Sequence, residues 1–318
     1  MKNNTIVTAG DAHYAWGVWL LIASIRKNGM DEPILVGTYH WPRQWIDDIK
    51  KFPGVETAEL SLTDRRSVTC SKPEIILRAQ TEYVTWLDCD GIFTGNCSDV
   101  IGSKPGEIYI RSRTAPEIEE IFRKQRRPGE EPGEIPAAVL DIWQRDVGEH
   151  LEPRRRRSCS AGIFTIHRDS LPFMRRWIEQ MKKVLPADVM LVEDGSIAYF
   201  QTDDAVLNSL LLYAYDAPEI SREYHADDTS RAFYAHFAFS PKPWIMWNSY
   251  SMRYYDQTMA IVAWAAAGGY LPTAGLPYSL RKECGWFFRR STPGAKWYSR
   301  WLKLRRKCRE WRRRMFRR

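Results

Sequence analysis

Two carboxylates stand one residue apart in the stretch WLDCDGIF, where Asp88 and Asp90 follow an apolar run. Carboxylates at the end of a buried strand are costly unless a cation or hydrogen bonds meet them. Gly91 follows directly and permits a bend that turns both side chains to one side. Hard divalent cations such as Mg²⁺ and Mn²⁺ prefer these oxygens and often complete their shell with substrate phosphates. The spacing therefore favours a divalent metal site that also takes a phosphate.

A second stretch, HFAFSPKPW, begins at His236 and supplies an imidazole and, at Lys242, an ammonium. Imidazole also suits Mn²⁺, and the compact charge of a lysine suits a phosphate. Taken alone, such a His or Lys is more often a core or surface residue, and two acids in a turn are more often only solvated. Together with Asp88 and Asp90, the two side chains predict a site for a metal and a diphosphate.

Alternating elements must position these residues. Strands are predicted at NTIVTAG, EPILVGTY, EYVTWLDCDGIF and SAGIFTIHR, and helices at AWGVWLLIASIRKN, WPRQWIDDIKKF, KPEIILRAQ, SLPFMRRWIEQMKKV and DDAVLNSLLLYAY. The alternation predicts an α/β fold with a mixed, mainly parallel sheet and helices on both faces. Ligands of such sheets bind at the carboxyl ends of the strands. Both carboxylates, and the turn TAGDAHY after the first strand, fall at this edge.

The motifs TAGDAHY, WLDCDGIF, SAGIFTIHR, DDAVLN and HFAFSPKPW, in this order and spacing, resemble the GT-A glycosyltransferases of family 8. The family includes bacterial lipopolysaccharide glucosyl- and galactosyltransferases and glycogenin. The resemblance spans roughly residues 5 to 247, and its most specific piece is His-Phe-x-x-x-x-Lys-Pro-Trp. It implies a Rossmann-like GT-A fold and transfer of a hexose from a UDP-sugar with retention of configuration.

The resemblance also assigns a metal and a phosphate contact. Asp88, Asp90 and His236 would hold Mn²⁺, or Mg²⁺, across the diphosphate of the donor. Lys242 would contact the same diphosphate. Metal and lysine would then stabilise the negative charge that grows on the UDP leaving group.

Further positions would bind the donor. Asp11 and Tyr14 match residues that bind the uracil, and Arg78 matches an arginine that contacts the sugar. The complete set of donor-binding residues that the resemblance implies is Thr8, Ala9, Asp11, Tyr14, Arg78, Asp88, Ser160, Ala161, Gly162 and Lys242.

Two adjacent acids complete the catalytic set with Lys242. Asp203 matches a residue that holds sugar hydroxyls. Asp204 is the nucleophile if a covalent intermediate forms; otherwise the acceptor hydroxyl attacks from the face that the phosphate leaves. The sequence departs from the family at three positions, with Asp204 in place of Gln, Ser160 in place of Asn and Phe239 in place of Gly.

Residues 111–157 are polar, charged and rich in Pro and Gly, which predicts a mobile excursion or lid around a short helix at AAVLDIWQRDV. The excursion ends in EPRRRR, residues 152–157. The favoured interpretation of this run is a solvated loop. The alternative is a basic loop beside the site that grips an anionic acceptor.

The formal net charge of +8 is concentrated in the tail, because residues 281–318 hold 16 Lys and Arg against two Glu, leaving about −6 for residues 1–280. In the predicted helix 291–318, six apolar or aromatic residues recur at spacings of 3 and 4: Trp297, Trp301, Leu304, Cys308, Trp311 and Met315. Such a helix is typical of a membrane interface, with its cations toward anionic lipid. A core-packing helix and a nucleic-acid-binding helix are the alternatives.

These patterns divide the chain into a GT-A catalytic domain (1–250), a C-terminal extension (251–290) and a basic aromatic membrane-binding helix (291–318). The six cysteines lack zinc spacing, the amino terminus lacks a secretory signal, and the longest apolar run is too short to span a bilayer. We therefore expect a cytoplasmic protein, attached peripherally to the inner face of a membrane.

The predicted function is transfer of a hexose from a UDP-sugar to a glycan acceptor, lipid-linked and of lipopolysaccharide or surface polysaccharide type. One alternative is a glycosyltransferase that acts on a soluble protein or glycan. The other is a nucleic-acid-binding protein on a degenerate GT-A fold. No nucleic acid is expected as a partner, because a binding module would have no need of Asp88, Asp90, His236 and Lys242 together.

Overall fold

The computed structural model describes residues 3–62, 67–102, 104–187, 189, 198–223 and 233–285, with residues 297, 300, 301 and 304 of the tail. It divides the chain into two compact units, Met1–His236 and Phe237–Arg318. The rest of the predicted helix 291–318 lies outside the described residues. The predicted domain boundaries at 250 and 290 stay predictions.

A seven-stranded sheet forms the centre of the first unit. In their order across the sheet, the strands are β3 (Val55–Glu59), β2 (Ile34–Tyr39), β1 (Asn4–Asp11), β4 (Tyr83–Leu87), β7 (Cys159–His167), β6 (Glu107–Ser112) and β8 (Glu219–Glu223). Strands β1 to β4 are parallel, β7 is antiparallel to β4 and β6, and β8 is parallel to β6. The predicted mixed, mainly parallel α/β sheet is confirmed.

The antiparallel strand β7 decides which residues meet at the functional edge. It pairs Ile163 with Leu87, the last residue of β4, and Cys159 with Ser112, the last residue of β6. The start of β7 therefore lies where β4 and β6 end. Because all nine residues of β7 are buried, this central strand is a fixed support for the edge.

Helices surround the sheet. In the first unit they are α1 (Ala15–Lys27), α2 (Arg43–Ile49), α3 (Lys72–Ile76), α4 (Ala115–Phe122), α5 (Ala137–Val147), α6 (Leu171–Val184) and α7 (Asp203–Tyr213). The amphipathic helix α6 turns Phe173, Met174 and Trp177 into the core, as its spacing predicts. Helix α7 is different, since it is buried almost all round.

The segment 111–157 carries the two packed helices α4 and α5. Ile118 and Phe122 of α4, and Val139 and Trp143 of α5, are buried in the main core. The indole of Trp143 also donates a hydrogen bond of 3.1 Å to the carbonyl of Ala198. The predicted helix at AAVLDIWQRDV is confirmed as α5, whereas α4 was not predicted. The action of the segment as a lid stays a prediction.

A two-stranded ladder lies apart from the main sheet and pairs β5 (Gly91–Phe93) with β9 (Tyr234–His236) in antiparallel register. The stretch EYVTWLDCDGIF, predicted as one strand running into a turn, is two strands, because β4 ends at Leu87 and β5 begins at Gly91. Asp88 and Asp90 occupy the break between them.

The second unit contains the helix α8 (Tyr255–Ala267) and short helical turns. The buried indole of Trp247 donates to the carbonyl of Ser279 at 2.8 Å, which links the segment before α8 to the segment after it. Among the residues that the structure describes, no helix has both the length and the apolar character needed to cross a membrane.

Candidate active site

Three predicted ligands converge at the carboxyl edge of the sheet. Nε2 of His236 lies 2.9 Å from Oδ1 of Asp90 and 3.7 Å from Oδ2 of Asp88. One ligand atom from each residue falls within 4.8 Å of the others. Asp90 is 9% exposed, and the side chains of Asp88 and His236 are each 24% exposed, so the cluster is partly removed from water. We call these three residues the acidic triad.

The β5–β9 ladder brings the triad together across 146 residues of chain. It places Gly91, next to Asp90, directly opposite His236. The phenol ring of Tyr234 lies over Gly91, and its hydroxyl donates to the carbonyl of Asp88. A Cβ on Gly91 would lie 2.4 Å from that ring. The glycine is therefore needed for the close approach of Tyr234, besides the bend that the sequence predicts.

The first residues of β7 form the adjoining wall. The carbonyl of Gly162 accepts a hydrogen bond of 2.8 Å from the amide of Asp88. A Cβ on Gly162 would lie 2.9 Å from Cε1 of His236 and 3.2 Å from Oδ2 of Asp88. Ser160 and Ala161 precede it and are buried. The structure thus brings the Ser-Ala-Gly stretch to the acidic triad.

Lys72 is the cation beside Asp88, and the sequence analysis missed it. Its ammonium is 2.9 Å from Oδ1 of Asp88, 3.0 Å from Oδ2 of Asp203 and 3.2 Å from the carbonyl of Ala161. It also lies 5.5 Å from the centre of the Trp86 ring. The sequence signal for this buried cation is its position at the start of the apolar helix KPEII, where a lysine is unusual.

The charge of Lys72 is maintained although the side chain is only 5% exposed. Burial alone would lower its pKa, but Asp203 and Asp88 outweigh burial and raise the pKa above the ordinary value. Because Oδ1 of Asp88 faces this ammonium, Oδ2 is the oxygen that faces His236. Lys72 therefore orients Asp88 and links the acidic triad to the start of α7.

Asp204 is held by Arg113, which the sequence analysis also missed. The guanidinium donates at 3.2 Å to Oδ1 and at 2.7 Å to Oδ2 of Asp204. Asn208 donates to Oδ1 at 2.8 Å, and the amide of Ala161 donates to Oδ2 at 3.2 Å. Arg113 is 7% exposed and also donates to the carbonyl of Cys159 at 2.7 Å. Four hydrogen bonds thus fix the Asp204 carboxylate against the start of β7.

The turn after β1 lies near the stretch that carries the two carboxylates, since a Cβ on Gly10 would lie 3.4 Å from Sγ of Cys89. Oδ1 of Asp11 accepts from the amides of His13 and Tyr14, which shapes the turn. Burial raises the pKa of the Tyr14 phenol above its usual range, and the neighbouring charge of Asp90 adds to this. Thr8 and Ala9 are buried within β1. The role of this turn in binding uracil stays a prediction.

Two predicted donor contacts have local partners. Arg78 donates from Nη1 to the carbonyl of Glu59 at 3.1 Å. In the second unit, the buried ammonium of Lys242 donates to the carbonyls of Phe237 and Ala238, at 2.7 and 3.0 Å. Phe239, at the position of the family's glycine, is 68% exposed. The predicted roles of Arg78 at the sugar and Lys242 at the diphosphate stay predictions.

The donor set fits a divalent cation. Two carboxylates and one imidazole offer two oxygens and one nitrogen within the reach of one ion, the combination that suits Mn²⁺ better than Mg²⁺ or Ca²⁺. Residues Asp88, Asp90 and His236 would hold such an ion. The remaining positions of its shell would be open to phosphate oxygens of a ligand.

Comparisons with known proteins rest on structure, since no family model and no curated protein matches the sequence. The apo structure of WbbM, a bifunctional glycosyltransferase, matches with a TM-score of 0.53 at 14% identity over 81% of this chain. The galactosyltransferase LgtC in complex with donor and acceptor sugar analogues matches with a TM-score of 0.51 at 14% identity over 84%. The apo-form glycosyltransferase GlyE of Streptococcus pneumoniae TIGR4 matches with a TM-score of 0.51 at 14% identity over 85% of this chain.

The matches differ in how much of the other chain they cover. This chain covers 100% of LgtC but 49% of WbbM and 65% of GlyE, so it spans about half of WbbM. At this level of identity the likeness concerns the fold. The sequence resemblance to GT-A glycosyltransferases of family 8 is confirmed at that level, and the chain has the fold of these glycosyltransferases, with the acidic triad at the carboxyl edge of its sheet.

Proposed function

We propose that this protein is a metal-dependent, retaining glycosyltransferase that moves a hexose from a UDP-sugar to a glycan acceptor. The observation that carries the proposal is the acidic triad, because two carboxylates and an imidazole at the carboxyl edge of a GT-A sheet make a site for a cation and a diphosphate. The fold is shared with solved glycosyltransferases, and LgtC is described with donor and acceptor sugar analogues.

The leaving group would be stabilised at the triad. A bound Mn²⁺ would supply a Lewis acid for the charge that develops on the UDP oxygens. Asp88 presents Oδ2 toward His236, while Lys72 holds Oδ1. The triad residues would therefore keep fixed positions as the diphosphate departs. Such preorganised charge is usually the largest contribution to transfer chemistry.

Asp203 would hold the sugar hydroxyls, the role that the resemblance implies for it. Its carboxylate pairs with Lys72 beside Asp88, at the point where α7 begins. The three N–H groups of Lys72 are directed to Asp88, Asp203 and the carbonyl of Ala161, so Lys72 would act as a positioning residue for the two carboxylates.

The acceptor hydroxyl would attack from the face that the phosphate leaves. The alternative needs Asp204 as a nucleophile, but both oxygens of that carboxylate are engaged by Arg113. A carboxylate that shares its lone pairs with a guanidinium is a weak nucleophile and cannot swing toward a sugar without breaking a buried ion pair. We therefore propose the direct route, with Asp204 as a fixed anchor of the start of β7.

The acceptor is proposed to be lipid-linked, at the cytoplasmic face of a membrane. Trp297, Trp301 and Leu304 lie four and three residues apart in helical conformation and are 67%, 39% and 61% exposed. One helical face thus exposes indole rings, and 16 basic residues lie between 281 and 318. Indoles at headgroup depth with cations toward anionic lipid are the features of an interfacial helix.

The donor reaction is tested by release of UDP from a panel of UDP-sugars, with Mn²⁺ and then with EDTA. We expect slow, Mn²⁺-dependent release from one sugar nucleotide, lost in Asp90→Ala. The control is Asp47→Ala, which removes an exposed acid on α2. Failure of every UDP-sugar to be hydrolysed or bound, or equal release by Asp90→Ala, would overturn the proposal.

Membrane attachment is tested by flotation with anionic liposomes, comparing the full chain with a chain that stops before Ser291. With anionic liposomes, the full chain should float and the shortened chain should not. With neutral liposomes, neither chain should float. Equal flotation of the two chains would contradict the membrane role. Binding of random RNA that liposomes cannot displace would favour nucleic acid instead.

A further inference from the structure

A basic ridge formed by Arg154, Arg155, Arg156 and Arg157 leads directly into the candidate active site. Its four consecutive arginines directly precede Ser158, and β7 begins at Cys159. Since Gly162 of the same strand touches the acidic triad, the ridge emerges at the edge where the reaction is proposed to occur.

The backbone of the basic ridge is fixed. The amide of Arg154 donates to the carbonyl of Leu212 at 3.0 Å, and the carbonyl of Arg156 accepts from Ile135 at 2.9 Å. The carbonyl of Ser158 accepts from Arg113 at 3.0 Å. Hydrogen bonds at every second residue therefore hold the ridge in one conformation. A solvated, unstructured loop would not show this pattern.

The side chains of the ridge divide into supports and exposed cations. Arg154 donates to the carbonyl of Ala217 at 2.9 Å, and Arg155 donates to the hydroxyl of Ser112 at 2.8 Å, at the end of β6. Arg156 is 56% exposed and has Glu134 at 3.8 Å. Arg157 is exposed as well. Arg156 and Arg157 thus present guanidinium groups to solvent beside the site.

Two arginines nearer the reacting centre are already paired with carboxylates, Arg113 with Asp204 and Arg111 with Glu117. Arg156 and Arg157 are more exposed than these two. Guanidinium groups recognise phosphate and carboxylate through paired hydrogen bonds, so the ridge favours an anionic group on a second ligand.

We propose that the acceptor is an anionic glycan, with phosphate or carboxylate groups that bind Arg156 and Arg157. This inference rests on the proposed function, because it places the acceptor chain along the start of β7. Arg157 lies five positions before Gly162, a span of at most about 17 Å at the rise of an extended chain. An anionic group bound by Arg156 and Arg157 would lie beyond the sugar ring that receives the hexose. The ridge would therefore bind a charged group farther along the acceptor.

The test compares binding of fluorescently labelled oligosaccharides to the full chain. The probes are a mannose oligosaccharide carrying a 6-phosphate, the same probe after phosphatase treatment, and an oligogalacturonate as the carboxylate arm. The variant is Arg156→Gln/Arg157→Gln. The control is Arg168→Gln/Arg175→Gln, which removes two exposed arginines after the opposite end of β7.

We expect the wild-type chain and the control to bind an anionic probe about tenfold more tightly than the neutral one, a preference that weakens with added salt. The double variant Arg156→Gln/Arg157→Gln should lose most of this preference. Its Mn²⁺-dependent UDP release without acceptor should remain at the wild-type level, since neither arginine belongs to the candidate donor site.

Three results would overturn the inference: equal binding of anionic and neutral probes, an equal loss in the control, or a loss of anionic liposome binding without a change in oligosaccharide binding. The last result would assign the ridge to a membrane. Metal-dependent UDP release together with any of these results leaves the proposed function standing. Absence of UDP release from every donor counts against the proposed function itself, so the two failures are distinct.

Discussion

At the scale of single residues, Lys72 holds the candidate site together. Its ammonium is surrounded by Asp88, Asp203 and the ring of Trp86, in a place that water does not reach. Removal of one member of a buried ion pair costs more than the pair contributes, because the remaining charge stays buried without compensation. Stability and site geometry are therefore tied to the same side chain.

We predict that Lys72→Met lowers the free energy of unfolding by about 3–5 kcal/mol, because the buried Asp203 and the partly buried Asp88 lose their cation. Urea denaturation at pH 7 measures this value. Lys182→Met is the control: its ammonium is 52% exposed and lies 3.5 Å from Glu179, so we expect a loss of no more than about 1 kcal/mol. Equal losses in the two variants would show that Lys72 is not buried with its partners.

We predict that Gly162→Ala weakens Mn²⁺ binding by about tenfold or more, a change of at least about 1.4 kcal/mol. The added methyl group would come within 2.9 Å of the His236 ring and force it away from Asp90. Titration of Mn²⁺ by electron paramagnetic resonance measures the affinity. Gly95→Ala is the control, since nothing lies within 4 Å of a Cβ at that position. Unchanged affinity in Gly162→Ala would separate the glycine from the metal site.

We predict that no sugar becomes attached to Asp204 during turnover. Arg113, Asn208 and the amide of Ala161 already engage both of its oxygens. Rapid acid quenching followed by peptide mass spectrometry, with the UDP-sugar that is hydrolysed, measures the adduct directly. A hexose on the peptide that contains Asp204 would restore the covalent route.

At the scale of elements, the segment 111–157 contains the capped helix α4. Glu117 accepts hydrogen bonds from the amide and the hydroxyl of Thr114, at 2.9 and 3.2 Å, and pairs with Arg111. Partial burial would raise its pKa, but Arg111 and the Thr114 amide outweigh burial and hold the pKa of Glu117 below its usual range. The sequence Thr-Ala-Pro-Glu is a capping box with Pro inside the first turn.

We predict that Glu117→Gln costs up to about 1 kcal/mol at pH 7, because it removes the negative charge that pairs with Arg111 and favours the start of the helix. Since folding lowers the pKa of Glu117, its contribution is fully present above the unfolded-state pKa of about 4.3 and is lost as the pH falls through the lower folded value. Urea denaturation of wild type and variant between pH 7 and pH 3 measures the difference. It should shrink in acid.

The control for this helix is Glu120→Gln, which changes a 70% exposed side chain of α4 whose partner Arg123 is 3.6 Å away. We expect its cost to stay below about 0.5 kcal/mol at every pH. A pH-independent cost in Glu117→Gln, or an equal cost in the control, would contradict the role assigned to the charge of Glu117.

Elements with a long hydrophobic pattern are the most readily predicted from the sequence. Helix α6 and the buried strands β1 and β7 were readable, because each follows its pattern over eight residues or more. Strand β3, with the sequence VETAE, is short and only partly buried, so no pattern marks it. Helix α4 lies in a polar stretch, and its capping box passed unnoticed among the Pro and Gly residues around it.

The candidate site was predictable where its functional residues are close together in the sequence or belong to a motif. Asp88 and Asp90 stand in one turn, and His236 opens a specific motif. Lys72 and Arg113 were missed, because a buried cation is recognisable only when its carboxylate partner is known to be near. Asp88 is 16 residues from Lys72, and Asp204 is 91 from Arg113. Such pairs follow from the sheet order and not from a local pattern.

At the scale of the whole molecule, the first unit brings two buried cations and their carboxylate partners to one edge of the sheet. Lys72 and Arg113 each bind one of the adjacent acids of α7, and both contact the start of β7. The candidate metal site, the proposed sugar site and the basic ridge thus follow one another along a single buried strand. A substitution that displaces this strand would therefore disturb all three sites. Residues of β2 and β3 do not contact them directly.

The β5–β9 ladder has a consequence for how the protein is made. A ribosome delivers Asp88 and Asp90 long before His236, so a growing chain carries only two of the three triad residues until the last strand of the first unit emerges. Closing a loop of this length costs entropy that the short ladder must offset. The reactive centre is therefore among the final parts of this unit to assemble, and a chain cut short before Tyr234 would carry the sheet but not the chemistry.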